Sequence, residues 1–320
     1  MRLRMDLDVS PAVAIVSYLE GSAPLERLLA NKGVAYMLYH HGLSSRRFAR
    51  ILESVVSGGE PLEGPIERAL YEEYARCRRS PQPYKDFLLR VASSWSDVAS
   101  EVASAAREYL PEWAEAEVRV YLMVGGDDAY GVNLVDTSAV VCNASYFLED
   151  ERRLRATLAH EVHHKALWRH MVAYRKLLNS GRSRLSAVYG VVSEVVGEGV
   201  ASVLSRPYGP FRKYLAVRSE IAEHYRRFEE GVLALYRGER ALEDVLGELY
   251  PNMGPIYMVG IDMTLEIVEA LGLRGLRSLL EDASTYDFFR AYSEVGTRYK
   301  YSQATLDALR ELRRAVQEVL

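Results

Sequence analysis

The chain has 320 residues, of which 49% are hydrophobic and 26% charged, and its formal net charge is −4. This is an ordinary globular composition with room for two lobes, and the weak, mixed charge gives no reason to expect nucleic acid as a partner. Two cysteines, Cys77 and Cys142, exclude a disulfide framework and a cysteine-rich zinc site, and they favour a reducing, cytoplasmic location.

The N-terminal segment lacks the pattern of a signal peptide. Asp6, Asp8 and Pro11 stand where such a peptide needs an unbroken apolar run. Because no run of 18 or more apolar residues follows, we expect no membrane span and no membrane partner. Residues 9–110 then predict mostly helices, with apolar residues three and four apart and glycines at several ends.

The hydrophobic period changes after Pro111. The string EVRVYLMVGG, residues 117–126, alternates apolar and polar positions and ends in two glycines, which predicts a strand. Residues 129–147 predict one or two further short strands with a turn near Asp136. A small β-sheet is therefore expected just before the next helical region.

From Leu148 onward the pattern is helical again. Residues 149–178 predict one long helix with an acidic first turn, which suits the helix dipole, and residues 187–205 predict a second helix. The remaining helices are expected near 212–237, 241–249, 255–271, 285–293 and 302–320. The sequence thus predicts an α+β, mostly α, protein, with a helical N-terminal region and small sheet over 1–147 and an all-helical lobe over 148–320.

His160, Glu161 and His164 form an H-E-x-x-H string on the first of these helices. The histidines are four residues apart, so their side chains project from one face of a helix. Two imidazoles so placed can bind one zinc ion, and the glutamate can act as general base toward a water molecule. The string also occurs on ordinary solvated helices, so a third ligand decides between the two interpretations.

The other histidines show no comparable pattern. His163 points away from the pair, and we expect it at the surface or beside the ligands. His170 is expected to be structural, and His40 and His41, just before Gly42, are typical of a helix end.

Glu194 and Glu198 lie four residues apart on the helix predicted over 187–205, so they share a face. Valines flank them, and two carboxylates on an apolar helix are costly to bury without a counter-charge. A zinc ion would supply that charge, which favours a metal site over a solvated helix edge.

H-E-x-x-H followed by E-G-x-A on the next helix resembles the gluzincin metallopeptidases. In one aminopeptidase branch the matching string is N-E-G-F-A, and its glutamate is the third zinc ligand; the resemblance assigns that role to Glu198 in GEGVAS. More widely, the chain is similar to predicted zinc peptidases of bacteria and archaea. They share the helical N-terminal region, the strand before the zinc helix and a late Y-x-x-G helix.

The chain departs from that aminopeptidase branch in two respects. The 33 residues between His164 and Glu198 are a longer separation, and the G-x-M-E-N string is absent, which argues against exopeptidase activity. Glu194, one turn before Glu198, is expected to accept the free N–H of a zinc-bound imidazole.

Tyr257 is the candidate donor to the oxyanion of the reaction. It lies in the first turn of the helix predicted from residue 255, where free N–H groups and the positive end of the dipole suit negative charge. The resemblance points the same way, because gluzincins commonly supply a tyrosine or histidine and the Y-x-x-G string matches Tyr257 through Gly260. Tyr250 is a nearby competitor for the role.

The sequence therefore predicts a zinc metallopeptidase with one zinc ion per chain, Glu161 as general base and a peptide or protein substrate; it predicts no oligomeric state. Two alternatives stay open. Glu161 and His164 also form an E-x-x-H pair, which is typical of di-metal carboxylate bundles, although those need a second such pair. A catalytically silent, metal-stapled interaction protein would carry the same ligands without activity.

Overall fold

The protein is an α+β molecule built mostly from helices, which confirms the predicted fold class. Its structure, a computed structural model, describes residues 2–134 and 137–320, so the turn predicted near Asp136 lies outside the described residues. The elements in chain order are β1 (Arg2–Asp8), α1 (Ser10–Leu19), α2 (Leu25–Leu29), α3 (Lys32–His40), α4 (Ser45–Ser57), α5 (Pro65–Arg79), α6 (Gln82–Ser93), α7 (Trp95–Arg107), β2 (Glu115–Met123), β3 (Ala129–Leu134), β4 (Thr137–Asn143), α8 (Glu151–Ala166), α9 (Trp168–Asn179), α10 (Ser183–Leu204), α11 (Pro210–Val217), α12 (Ile221–Arg237), α13 (Leu242–Leu249), α14 (Pro255–Leu279), α15 (Tyr286–Val295) and α16 (Gln303–Val319).

Within the described residues the strands form one mixed sheet in the order β1-β2-β4-β3. β2 and β4 are parallel, with Val120 opposite Val140, whereas β3 and β4 are antiparallel. The alternation predicted for β2 holds only for its first half. Tyr121 and Met123 are buried as well as Leu122, so the end of this strand is covered on both faces.

The chain divides into two compact units. One comprises Leu3–Ala103 and Ala116–Glu161, and it contains the sheet and the N-terminal helices. The other comprises Arg2, Ser104–Glu115 and Val162–Leu320, and its core is formed chiefly by α10, α12 and α14. The passage from one unit to the other falls inside α8, after Glu161, whereas the sequence placed a boundary near residue 148.

Two predicted helices are interrupted. The helix predicted over 149–178 breaks at Leu167, whose ψ of 38° is not helical, so α8 and α9 are separate. The helix predicted over 212–237 is divided into α11 and α12 by a short 3₁₀ turn. Neither break contains a proline or glycine, so local helix propensity does not predict either of them.

By length and composition α10 could cross a membrane, which the sequence analysis did not anticipate. However, 61% of its apolar window is buried inside the protein, and a mostly buried core helix passes the same test. The burial therefore accounts for its apolar character without a membrane.

α10 and α14 cross at two glycines, Gly199 and Gly260. A Cβ atom at Gly199 would overlap the backbone of Gly260, and one at Gly260 would overlap the backbone oxygen of Val195. The two helices therefore approach more closely than side chains would allow. This crossing fixes the part of α10 that carries the predicted ligand Glu198.

Candidate metal centre

The structure brings the three predicted ligands together. One donor atom from each of His160, His164 and Glu198 lies within 4.8 Å of the other two. The histidines come from consecutive turns of α8, as their spacing requires, and the carboxylate comes from the middle of α10. Two imidazoles and one carboxylate are a donor set that catalytic zinc sites use.

The spacing between His164 and Glu198 suits a shared metal better than a direct hydrogen bond. Their Nε2 and Oε2 atoms are 3.5 Å apart. Two ligands at about 2.0–2.1 Å from one tetrahedral zinc ion lie roughly 3.3–3.4 Å from each other. A direct N–H···O bond is usually shorter, about 2.9–3.0 Å. The side chains are 27% and 13% exposed, so the group is sheltered but open to solvent on one side.

Glycines shape the surface on which these ligands sit. A Cβ atom at Gly197 would come to 3.5 Å from Nδ1 of His164, so the imidazole lies directly over this part of α10. Gly199, on the other side of Glu198, forms the crossing with α14. Packing thus explains the glycine of the E-G-x-A string, because this residue lets the ligand-bearing turn of α10 lie directly against α14.

Glu194 lies one turn before Glu198 and accepts a hydrogen bond from the hydroxyl group of Tyr250. Burial raises the pKa of the Glu194 carboxyl, and the neighbouring charge of Glu198 adds to this rise. The hydrogen bond from Tyr250 and the nearness of His164 act in the opposite direction on that pKa. Glu194 is therefore close enough to both ligands to interact with them electrostatically.

Glu161 follows His160 on α8 and is partly exposed. Its charge contributes to the raised pKa of Cys142, at the end of β4, although burial is the main cause of that rise. The carboxylate of Glu161 therefore lies near the end of β4. The thiol of Cys142 stays protonated and is no candidate ligand.

The structure also places the tyrosines proposed for the oxyanion. α14 begins at Pro255, as predicted, and Tyr257 lies in its first turn, partly buried. The rings of Tyr250 and Tyr257 meet edge to face with centroids 5.8 Å apart. The hydroxyl group of Tyr250 donates its hydrogen bond to Glu194, which makes Tyr250 less suited to bind an oxyanion.

The other two histidines of this region, His163 and His170, are both buried. His163 is fully buried, which excludes the surface position but agrees with the other expected one, beside the ligands: its ring lies edge to face against His164, with centroids 6.0 Å apart. His170 is buried, as a structural role requires, and burial lowers its pKa to about 4.

A comparison with models of protein families matches residues 25–300 to the family described as "Putative zinc dependent peptidase (DUF5700)". The matched region includes α8 and α10, which carry the candidate ligands, and the start of α14. No curated protein and no solved structure matches the chain.

Proposed function

The chain belongs to the family so described, and we propose from this premise that it is a zinc metallopeptidase whose site consists of His160, Glu161, His164 and Glu198. The observation that carries the proposal is the convergence of three zinc-type donors, with a glutamate next to the first of them. Zinc bound there would polarise the scissile carbonyl group and lower the pKa of the attacking water.

The chain's own residues have separate tasks in this reaction. Glu161 accepts a proton from the attacking water and passes it to the leaving amine. Tyr257, in the first turn of α14, donates a hydrogen bond to the developing oxyanion. Glu194 accepts an N–H from a ligand imidazole and is itself held by Tyr250.

The two partly buried carboxylates of α10 support a cation at this position. Glu194 and Glu198 are carboxylates one turn apart on a helix whose neighbouring valines are fully buried. Like charges so placed in apolar surroundings are unfavourable unless a positive charge compensates them. The described residues place no second E-x-x-H pair beside the ligand group, so the site favours one ion over a di-metal centre.

The test is zinc content measured beside cleavage of a peptide library. We expect about one tightly held zinc per chain, and cleavage that a chelator removes and zinc restores. Glu161→Gln should keep the zinc but lose cleavage, because an amide is nearly isosteric and cannot act as a base. Glu151→Gln, at the start of the same helix, is the matched control and should cleave normally.

Two results would contradict the proposal. Cleavage that persists in Glu161→Gln would remove this residue as the base. A folded, zinc-loaded protein that cleaves no member of the library would favour the catalytically silent, metal-stapled alternative.

A further inference from the structure

A second group of metal-binding side chains lies in the unit that contains the sheet. One donor atom from each of His40, His41 and Asp127 lies within 4.8 Å of the other two. Nε2 of His40 is 3.1 Å from Oδ2 of Asp127. The histidines end α3, and the aspartate lies in the loop between β2 and β3. From the sequence alone these histidines are typical only of a helix end, because their carboxylate partner is 86 residues away from His41.

The loop that carries Asp127 is fixed by its own hydrogen bonds. Gly125 and Gly126 adopt positive φ angles of 99° and 96°, which favour glycine. The side chain of Asn143, almost fully buried, accepts a hydrogen bond from the backbone N–H of Gly125 at 3.1 Å and donates one to the carbonyl of Gly126 at 2.9 Å. The position of Asp127 therefore does not depend on a metal being bound.

The two histidine rings are also held in place. The ring of His40 stacks on Tyr130, with centroids 3.7 Å apart and planes 7° from parallel. Nε2 of His41 is shielded from solvent and has no hydrogen-bond partner among the described residues. A Cβ atom at Gly126 would come to 2.9 Å from this nitrogen, so a side chain at this position would displace the ring of His41.

An exposed ion pair between His40 and Asp127 explains only part of this arrangement. Such a pair contributes little to stability, and it does not require a second histidine. A buried ring nitrogen without a partner costs free energy, and a metal ion would satisfy it. Two imidazoles and one carboxylate suit zinc and other borderline divalent transition metals rather than Ca²⁺ or Mg²⁺.

We propose that His40, His41 and Asp127 form a second metal site, which takes Zn²⁺ or a similar borderline divalent transition-metal ion. The ion joins the C-terminal end of α3 to the loop between β2 and β3. Asp127 is 62% exposed, so water completes the coordination, and the site binds more weakly than a sheltered one. Its role is to stabilise the unit that contains the sheet.

The experiment is a ZnCl₂ titration, by calorimetry, of the full-length His160→Ala/His164→Ala variant, which lacks the first site. We expect one zinc ion to bind. Adding Asp127→Asn should weaken that binding at least about tenfold, since a ligand is lost. The matched control is Asp128→Asn: this neighbouring carboxylate accepts from Ala129 and pairs with Arg153, and its replacement should leave binding unchanged.

If the double variant does not fold, the two loop substitutions are made singly in a chain that keeps the first site. Zinc beyond the first equivalent should then raise the Tm of Asp128→Asn but not that of Asp127→Asn. Equal zinc binding by the two loop variants would overturn the second site. When Asp127→Asn and Asp128→Asn are made singly, in a chain that keeps His160, Glu161 and His164, their peptide cleavage reports on the proposed peptidase separately.

Discussion

The hydroxyl group of Tyr250 donates a hydrogen bond to the carboxylate of Glu194, across 56 residues of sequence. Glu194 in turn lies one helical turn before the candidate ligand Glu198 and close to His164. Tyr250 follows directly after α13, so the hydrogen bond ties this part of the chain to the ligand-bearing turn of α10. A residue remote in sequence thus controls the surroundings of the candidate metal ligands.

Tyr250→Phe should lower both stability and zinc affinity. The partly buried carboxylate of Glu194 loses a donor, which costs about 1–3 kcal/mol of unfolding free energy. If Glu194 orients a ligand imidazole, zinc affinity should fall about 10–100-fold. Urea unfolding and zinc competition with a chelator measure the two effects. Tyr39→Phe, at a tyrosine that is 71% exposed, is the control. Unchanged zinc affinity in Tyr250→Phe would show that Glu194 does not position a ligand.

Glu198→Ala should lose zinc and peptide cleavage together, because it removes one of three protein ligands. Elemental analysis after dialysis measures the zinc, and Glu161→Gln, which keeps all three ligands, provides the comparison. A Glu198→Ala protein that retains zinc and activity would transfer the ligand role to Glu194. Equal zinc loss in Glu161→Gln would mean that Glu161 is a ligand rather than the base.

Tyr257→Phe should lower kcat by about 10²–10³-fold, the usual effect of losing one oxyanion donor. Zinc content and Tm should barely change, since only a hydroxyl group is removed. Steady-state kinetics beside elemental analysis test this. A wild-type kcat would exclude Tyr257 from the reaction, and an unfolded variant would assign its hydroxyl group to structure instead.

Gly260→Ala should destabilise the protein by about 1–3 kcal/mol or more, because the new methyl group overlaps the backbone of α10. Zinc affinity should fall with it, since the same turn carries Glu198. Gly247→Ala is the matched control: Gly247 is also helical, but a Cβ atom there meets nothing within 4 Å. That variant should gain about 0.5–1 kcal/mol from its better helix propensity. Similar stability of the two variants would contradict the close crossing.

His170 should make stability depend on pH. Burial lowers its pKa in the folded protein to about 4, below its ordinary value of 6.5. The unfolded chain therefore binds more protons between these values, so this contribution is fully present above pH 6.5 and is lost as pH falls toward 4. Between pH 7 and pH 5 the metal-free protein should lose about 2 kcal/mol more than metal-free His170→Gln. Equal losses in urea unfolding would show that His170 is not buried as a neutral ring.

The local elements of the site were within reach of sequence analysis. The four-residue spacing of His160 and His164 required only that the segment be helical, and the change to alternation near residue 117 marked β2. β1 was not predicted, although Leu3, Met5 and Leu7 alternate with polar residues in the pattern of a strand. The sequence signal for that strand is therefore present.

Long-range relationships were out of reach for a physical reason. The pairing of Tyr250 with Glu194, and of the end of α3 with Asp127, depends on how distant segments pack, which periodicity does not encode. The glycines of α10 illustrate the same limit. In a single sequence a helical glycine predicts only a loss of helix propensity. The structure shows that Gly199 is needed because α14 crosses α10 at this position, leaving no room for a side chain.

The crossing of Gly199 and Gly260 also limits how this protein can change by mutation. A side chain added at either position meets backbone atoms of the other helix, not a side chain that a second substitution could shorten. No compensating replacement therefore exists for either glycine, unlike most core positions, where a large and a small residue can exchange places. Libraries that diversify the neighbouring valines can be expected to recover repacked cores, whereas positions 199 and 260 should return glycine alone.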